Sequence, residues 1–279
     1  MADAQSRDVS KSFHVGGFMV ASEFGVPPNL LDLLKEPVLA VQDFLVLTGR
    51  ALKNIFLSPH YTDDIFLQMD GIGVGSLQIV ALTGTFSGAV MALQMARALA
   101  SYGQVGKTGT LVSLTLVREL GPVLTALMVA GRNASGIASE LGSMKVTEQI
   151  DAMRALGTDP VQKLVTPRVI ATAVMLPLLV IIADFVGLAG GWLIADFFLS
   201  IPSKQYWSSA WRALDWSDVA QGLLKPLVFA LVISLIGCYY GLRTTGGTQG
   251  VGRSTTQAVV MATVLIFIFD LMITKIWVS

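Results

Sequence analysis

The sequence predicts an all-α integral membrane protein, and three observations carry that prediction. Of the 279 residues, 53% are hydrophobic and only 14% charged, whereas soluble domains average about 25% charged. Mean hydropathy is +0.66. Five mostly apolar runs each reach the roughly 20 residues that a helical crossing needs. Lipid leaves no partner for bare backbone groups, so each crossing is expected to be helical.

Residues 1–36 form a polar arm of mixed charge. It lacks a basic start followed by an apolar core, so it does not read as a cleavable signal peptide. Residues 37–57, PVLAVQDFLVLTGRALKNIFL, repeat polar positions at 42/43, 49/50 and 53/54. That stripe, with Asp43, Arg50 and Lys53 on it, favours a helix lying in the membrane interface over a sixth crossing.

The crossings are expected at about 72–95, 110–138, 169–198, 219–242 and 256–278. The third is long enough to tilt, or to break near Pro177 or Gly190–Gly191. Between the second and third lies a short charged helix at about 147–156. Thr147 is placed to cap it, Glu148 sits in its first turn, and Gly157 is placed to end it. Trp207, Trp211 and Trp216 crowd the loop before the fourth crossing, as an aromatic belt at headgroup depth would. Small-residue spacings at Gly84/Gly88, Gly187/Gly191 and Gly237/Gly241 permit close helix approach.

Lys and Arg distribution sets the orientation. The 142–168 loop holds Lys145, Arg154, Lys163 and Arg168, and the 243–253 loop adds Arg243 and Arg253. By the positive-inside rule these loops and the N-terminus are cytoplasmic.

Charges inside a crossing are costly and usually functional. Arg118 and Glu119 lie in the second. Successive helical residues point about 100° apart, so each needs its own partner: a neighbouring helix, water or a ligand headgroup. Pro122 has no N–H, so a kink is expected there, beside a guanidinium that offers donors for a phosphate. Asp184 and Asp270, in the third and fifth crossings, are candidates for a proton relay.

Other motifs carry little. SYGQVGKTGT at 101–110 nearly matches a phosphate-binding loop, but has Ser101 where Gly is needed and joins two crossings instead of a strand and a helix. TTGGTQGVGRST at 244–255 reads as a flexible loop. His14 and His60 have no metal-ligand spacing. Cys238 lies alone in an apolar run, which excludes an internal disulfide. No nucleophile–base pair is visible, no catalytic or metal site is assigned, and zero net charge gives no sign of nucleic acid.

The block RELGPVLTALMVAGRNASGIASELGSMKVTEQIDAMRALGTDPVQKLVTPRVIA closely resembles the MlaE/YrbE permeases of ABC lipid transporters associated with MCE proteins. Asp151-Ala152-Met153 followed by Gly157 loosely resembles the EAA–G loop of other ABC permeases. The resemblance runs from about residue 37 to the C-terminus. It implies a homodimer with five crossings and an interfacial helix per subunit, in a bacterial inner membrane. It implies a cytoplasmic ABC ATPase (MlaF-like), which alone uses ATP and Mg, docked through Glu148, Asp151, Met153, Arg154 and Gly157. It implies a STAS-domain protein (MlaB-like) and a periplasmic ring of MCE-domain subunits (MlaD-like). It further implies a lipid cavity between subunits, with Gln94, Leu99, Tyr102, Arg118 and Glu119 at lipid-site positions. Met91 and Ala98 share that wall but depart from the family pattern.

The expected function is the non-catalytic permease of a transporter moving phospholipids between the inner membrane and the MCE partner, which maintains outer-membrane lipid asymmetry. Its rivals are a proton-coupled secondary transporter using Arg118, Glu119, Asp184 and Asp270, and a membrane scaffold that transports nothing.

Overall fold

In the computed structural model, residues 30–55, 57 and 61–278 are described. Two compact units divide the chain, Met1–Val46 and Leu47–Ser279. Helix α1 (Leu30–Ile55) supplies the described part of the first unit and continues into the second. It begins seven residues before the expected start at 37. Most of the expected polar arm (1–29), and both histidines, lie outside the described residues.

No strand occurs among the described residues. In the second unit, α2 (Thr62–Met69) and α3 (Gly75–Ala100) join through a wide five-residue π turn, Asp70–Val74. Next come α4 (Thr108–Thr115), α5 (Gly121–Val129) and α6 (Ser135–Val146), joined by π turns at Leu116–Leu120 and Ala130–Ala134. The short α7 (Gln149–Ala155) precedes α8 (Thr166–Leu199), then α9 (Ser203–Ala213), α10 (Trp216–Leu242) and α11 (Gly247–Val278).

Five rods are long and apolar enough to cross a membrane: Thr62–Ala100, Val105–Val146, Val161–Leu199, Trp216–Leu242 and Gly247–Trp277. The 42-residue second rod is about 63 Å long at 1.5 Å per residue, twice the hydrocarbon thickness. Its polar ends therefore extend past the apolar run. The third is unbroken: Pro177 and Gly190–Gly191 lie inside the continuous α8.

The first and third rods meet along a seam of small residues. Ser76, Val80, Gly84, Gly88, Ala92 and Ala96 form the buried stripe of α3, one residue every four. A Cβ on Gly84 would lie 2.7 Å from the Ala183 carbonyl oxygen, and one on Gly88 would overlap the Gly187 carbonyl. The backbones touch, which is what small-residue spacing permits. Gly237 and Gly241 of α10 do the same against Ile137, Ala138 and Leu141 of α6. All three glycine pairs thus serve contacts within one chain.

The segment before the fourth crossing is not a loop. α9 is a helix packed lengthwise on α4. Thr110 Oγ1 donates to the Ser209 carbonyl (3.0 Å) and Ser113 Oγ to the Ala210 carbonyl (3.1 Å). Gly109 allows the approach, since a Cβ there would collide with the backbone and side chains of α9. Trp207 stacks on Trp211 with centroids 6.3 Å apart. At Leu214 and Asp215 the backbone turns extended (ψ 116° and 160°), and α10 then packs against the second rod. The break between α9 and the fourth rod thus lies beside Arg118, which pairs with Asp218 in the first turn of α10.

Candidate functional site

The site is built on the π turn Leu116–Leu120. Gly121 N–H reaches back to the Leu116 carbonyl, five residues away. Pro122 offers no N–H, so the Val117 carbonyl gets no such donor. Gly222 of α10 packs closely against that carbonyl: a Cβ there would sit 2.6 Å from the oxygen. The expected kink at Pro122 is realised as a widened turn, which presents Arg118 and Glu119 to α10 and α11.

Arg118 reaches Asp218 in the first turn of α10. Its Nε donates to Oδ1 at 2.8 Å, and Nη2 lies 2.7 Å from the same oxygen. Asp218 Oδ2 accepts from the Asp215 backbone N–H at 3.0 Å, and the Asp215 side chain caps the same turn in return. A single carboxylate therefore starts α10 and holds the guanidinium. The Asp218 side chain is 2% exposed, but that of Arg118 is 45% exposed. The guanidinium is anchored on one edge and open on another.

Glu119 turns the other way. Lys225, fully buried on α10, donates to Glu119 Oε2 at 2.6 Å, and Thr274 Oγ1 of α11 donates to Oε1 at 3.1 Å. Lys225 Nζ also lies 2.8 Å from Asp270 Oδ1 on α11, an ion pair by distance although that oxygen is outside its hydrogen-bonding directions. Removing one member of such a buried set strands the others in a low-dielectric medium. The cluster ties the second, fourth and fifth rods at one depth.

Above this cluster opens a groove of about 670 Å³, lined among others by Leu114, Thr115, Arg118, Gln221 and Trp277. That is within the range of ligand pockets. Two cations and three carboxylates converge next to it; Arg118, Glu119 and Asp218 line the groove itself, and the side chains of Arg118 (45%) and Glu119 (37%) are the more exposed of the set.

Gln94 and Tyr102 are exposed and Leu99 half-buried on the last turns of α3 and beyond, and none of the three lines this groove. Ala98 and Gln94 continue an outward stripe of α3 with Leu82, Phe86 and Val90. Asp184 lies on α8 against Gly121, with Oδ1 buried and without a hydrogen-bond partner among the described residues. Asp270 is engaged by Lys225. Sequence reasoning missed Asp218 and Lys225. A signal was present: Lys225 is an ionisable residue inside an apolar run, and Asp218 stands seven residues before it, on the same helical face.

At the opposite end, α7 is rooted by Ile150, which is fully buried. Asp151 binds Lys145 at 2.7 Å and Arg154 at 3.2 Å. The hydrogen bond from Lys145 holds the Asp151 carboxyl below the usual carboxylate value. Thr147 does not cap α7; its hydroxyl donates to the Ser143 carbonyl, closing α6. Glu148 occupies the capping position instead of the first turn, in the left-handed conformation (φ 60°) that makes the corner. Gly157, at φ 79°, ends the segment. Glu148, Asp151, Arg154 and Gly157 are exposed, Met153 is half-buried, and Leu156 is 84% exposed.

Comparison with known proteins bears on this arrangement. The family model described as permease MlaE matches residues 65–276. A probable ABC transporter permease of Rickettsia typhi is 44% identical over 233 residues, covering 84% of this chain and 90% of that protein. One from Synechocystis is 44% identical over 222 residues, 80% of this chain and 84% of that protein. The chloroplastic protein trigalactosyldiacylglycerol 1 of Arabidopsis thaliana is 39% identical over 230 residues, 82% of this chain and 66% of that protein. With five apolar rods and a family match over most of its length, this multi-pass membrane protein belongs to the MlaE family of ABC-transporter permeases.

Proposed function

We propose that the chain is the permease subunit of a phospholipid transporter, and that Arg118 receives the lipid's phosphate. The observation that carries this reading is a half-exposed guanidinium at the depth of the apolar runs, anchored by Asp218 and facing an open groove. A buried ion pair that only fixed packing would gain nothing from an open side, since exposure screens it. A guanidinium offers a forked set of donors that fits phosphate. Apolar surfaces of the neighbouring rods lie beside it for acyl chains. The lipid in the name of the Arabidopsis relative is consistent with a lipid cargo.

In this reading the subunit works as a homodimer in a bacterial inner membrane, with the N-terminus and α7 cytoplasmic. An ABC ATPase of the MlaF kind docks on the exposed side of α7 and uses ATP and Mg, and this chain hydrolyses nothing. A STAS-domain protein of the MlaB kind joins the ATPase, and a ring of MCE-domain subunits of the MlaD kind receives or delivers lipid on the periplasmic side. The transporter maintains outer-membrane lipid asymmetry. Nucleotide in the ATPase favours one of two arrangements of the paired subunits and thereby opens or squeezes the groove.

The test exchanges the anchored pair. Arg118→Asp with Asp218→Arg keeps the attraction but moves the guanidinium to a position that is 2% exposed. ATP-driven movement of a labelled phospholipid by the purified complex should be lost in the exchanged protein while the ATPase stays bound. Transport at the wild-type rate would refute the assignment.

A further inference from the structure

A second groove, of about 610 Å³, lies between α4 and α9 and is lined among others by Gln104, Lys107, Thr110, Gln205, Ser208 and Arg212. Its lining has two cations and no carboxylate, in a chain whose net charge is zero. Neither Lys107 nor Arg212 forms an ion pair among the described residues, and both are exposed.

The position of this groove gives it meaning. Lys107 and Thr110 line it, while Leu114 and Arg118 line the deeper groove. Their spacing, 107, 110, 114 and 118, traces one face of a helix. Lys107 and Arg118 are about 16 Å apart along the rod at 1.5 Å per residue. Arg212 lies in the last turn of α9, three residues past Ser209, whose carbonyl accepts from Thr110, and six before Asp218, which holds Arg118. The floor between the two grooves is stiff, because α9 is bonded to α4 at Thr110 and Ser113. Glycines keep the backbone close: a Cβ on Gly106 would collide with the Gln205 amide.

We infer that the Lys107–Arg212 groove is a second anionic headgroup station, and that it forms with Arg118 a cationic track for a lipid phosphate from the α9 end of the bundle to mid-depth. The occupant is the phosphodiester of a membrane lipid. Side-chain amides of Gln104 and Gln205 supply donors around the phosphate while the acyl chains stay in the membrane. Each station holds charge loosely, since Lys107 and Arg212 are exposed and Arg118 is already shared with Asp218. Weak successive sites allow passage where a single tight one would trap the headgroup. The inference rests on the proposed phospholipid transport and adds the route.

The test uses the full chain with its ATPase in nanodiscs of phosphatidylcholine doped with phosphatidylglycerol. Native mass spectrometry counts the phosphatidylglycerol retained by wild type, by Lys107→Gln/Arg212→Gln, and by the Arg118/Asp218 exchange. The double variant should bind about tenfold more weakly at one site per chain, as expected when a charge-assisted contact to phosphate is lost, and should slow transport. It should leave the Arg118-dependent lipid in place. Lys107→Arg/Arg212→Lys should restore both readouts, which a merely structural role would not require. An unchanged lipid count in the double variant, with the Arg118-dependent lipid present, overturns the track alone. Displacement of the lipid by millimolar inorganic phosphate would make the groove a site for soluble anions. Displacement by polyglutamate would make it a docking surface for an acidic protein segment. Ready cross-linking of Ser208→Cys between two copies would show the face covered by a second subunit. Each of these three also overturns the proposal. Wild-type protein retaining no anionic lipid at all would overturn both the track and the transport reading.

Discussion

The seam between α3 and α8 and the charged junction of α4–α5 with α10 and α11 lie in the same bundle and are held by opposite means. The seam is backbone on backbone, with glycines at Gly84, Gly88 and Gly187 and no ion pair among the described residues. Lipid tails are as apolar as leucine, so close van der Waals contact must supply the attraction there. The junction is ionic, widened by π turns, interrupted at Leu214–Asp215 and open on one side to a groove. Close packing resists change of shape, whereas charge pairs can exchange partners. The seam therefore serves as the frame, and the junction is where the proposed lipid phosphate would compete for a guanidinium.

The sharpest way to break this contrast is Gly88→Ala. A single methyl would overlap the Gly187 carbonyl, which is backbone and cannot turn aside. We expect a loss of at least about 3 kcal/mol, at the upper end of the overpacking range, read as a collapse of the folded fraction in denaturant titrations in mixed micelles. Near-normal stability would show that the seam is looser than described.

Lys225→Met comes next. It leaves Glu119 and Asp270 facing each other without a cation, at an expected cost of about 3–5 kcal/mol. Adding Glu119→Gln and Asp270→Asn should recover most of that stability, because apolar or neutral replacement of a whole buried ionic set is often tolerated. Failure of the triple variant to recover would mean that Lys225 matters for packing more than for charge.

Asp218→Ala should cost less, about 2 kcal/mol, from a lost helix cap and a half-solvated pair. Its signature is local, with faster amide exchange in the first turn of α10 and none in the seam. Uniformly faster exchange would contradict the division into frame and junction.

The smallest effect concerns α7. Lys145 lowers the Asp151 carboxyl below its usual value. A depressed carboxylate contributes order above its unfolded value, near pH 4, and loses it as pH falls through the lowered value. Exchange protection of α7 should thus be flat from neutral pH down to about 4 and fall only on further acidification. Asp151→Asn should abolish that fall. A transition at higher pH would point to another group.

Much of this frame was legible in the sequence. The five apolar runs gave the five rods, because hydrocarbon demands length and apolarity above all. Their ends were underestimated: the first rod begins at Thr62 instead of 72 and the last at Gly247 instead of 256. Those ends are polar, and helices outside the hydrocarbon leave no apolar signature. α9 read as a loop for the same reason, since SKQYWSSAWRA is amphipathic and its support comes from α4. Arg118 and Glu119 stood out as adjacent charges in an apolar run. Their partners did not, since Asp218 lies 100 residues away at a span edge. Contacts between distant rods follow from packing, which a single chain's periodicity does not encode. The π turn at Leu116–Leu120 was foreshadowed only by Pro122, which announces a disturbance but not its form.

The central claim is that the open side of Arg118 meets a lipid phosphate. Dipolar coupling between guanidinium 15N and lipid 31P tests it most directly, in protein labelled at arginine and embedded in phospholipid. Wild type should show phosphorus dephasing of an arginine signal that disappears in Arg118→Lys and persists in Asp218→Asn, where the guanidinium is freed from its carboxylate. Identical dephasing in wild type and Arg118→Lys would place the phosphate contact elsewhere and contradict the account.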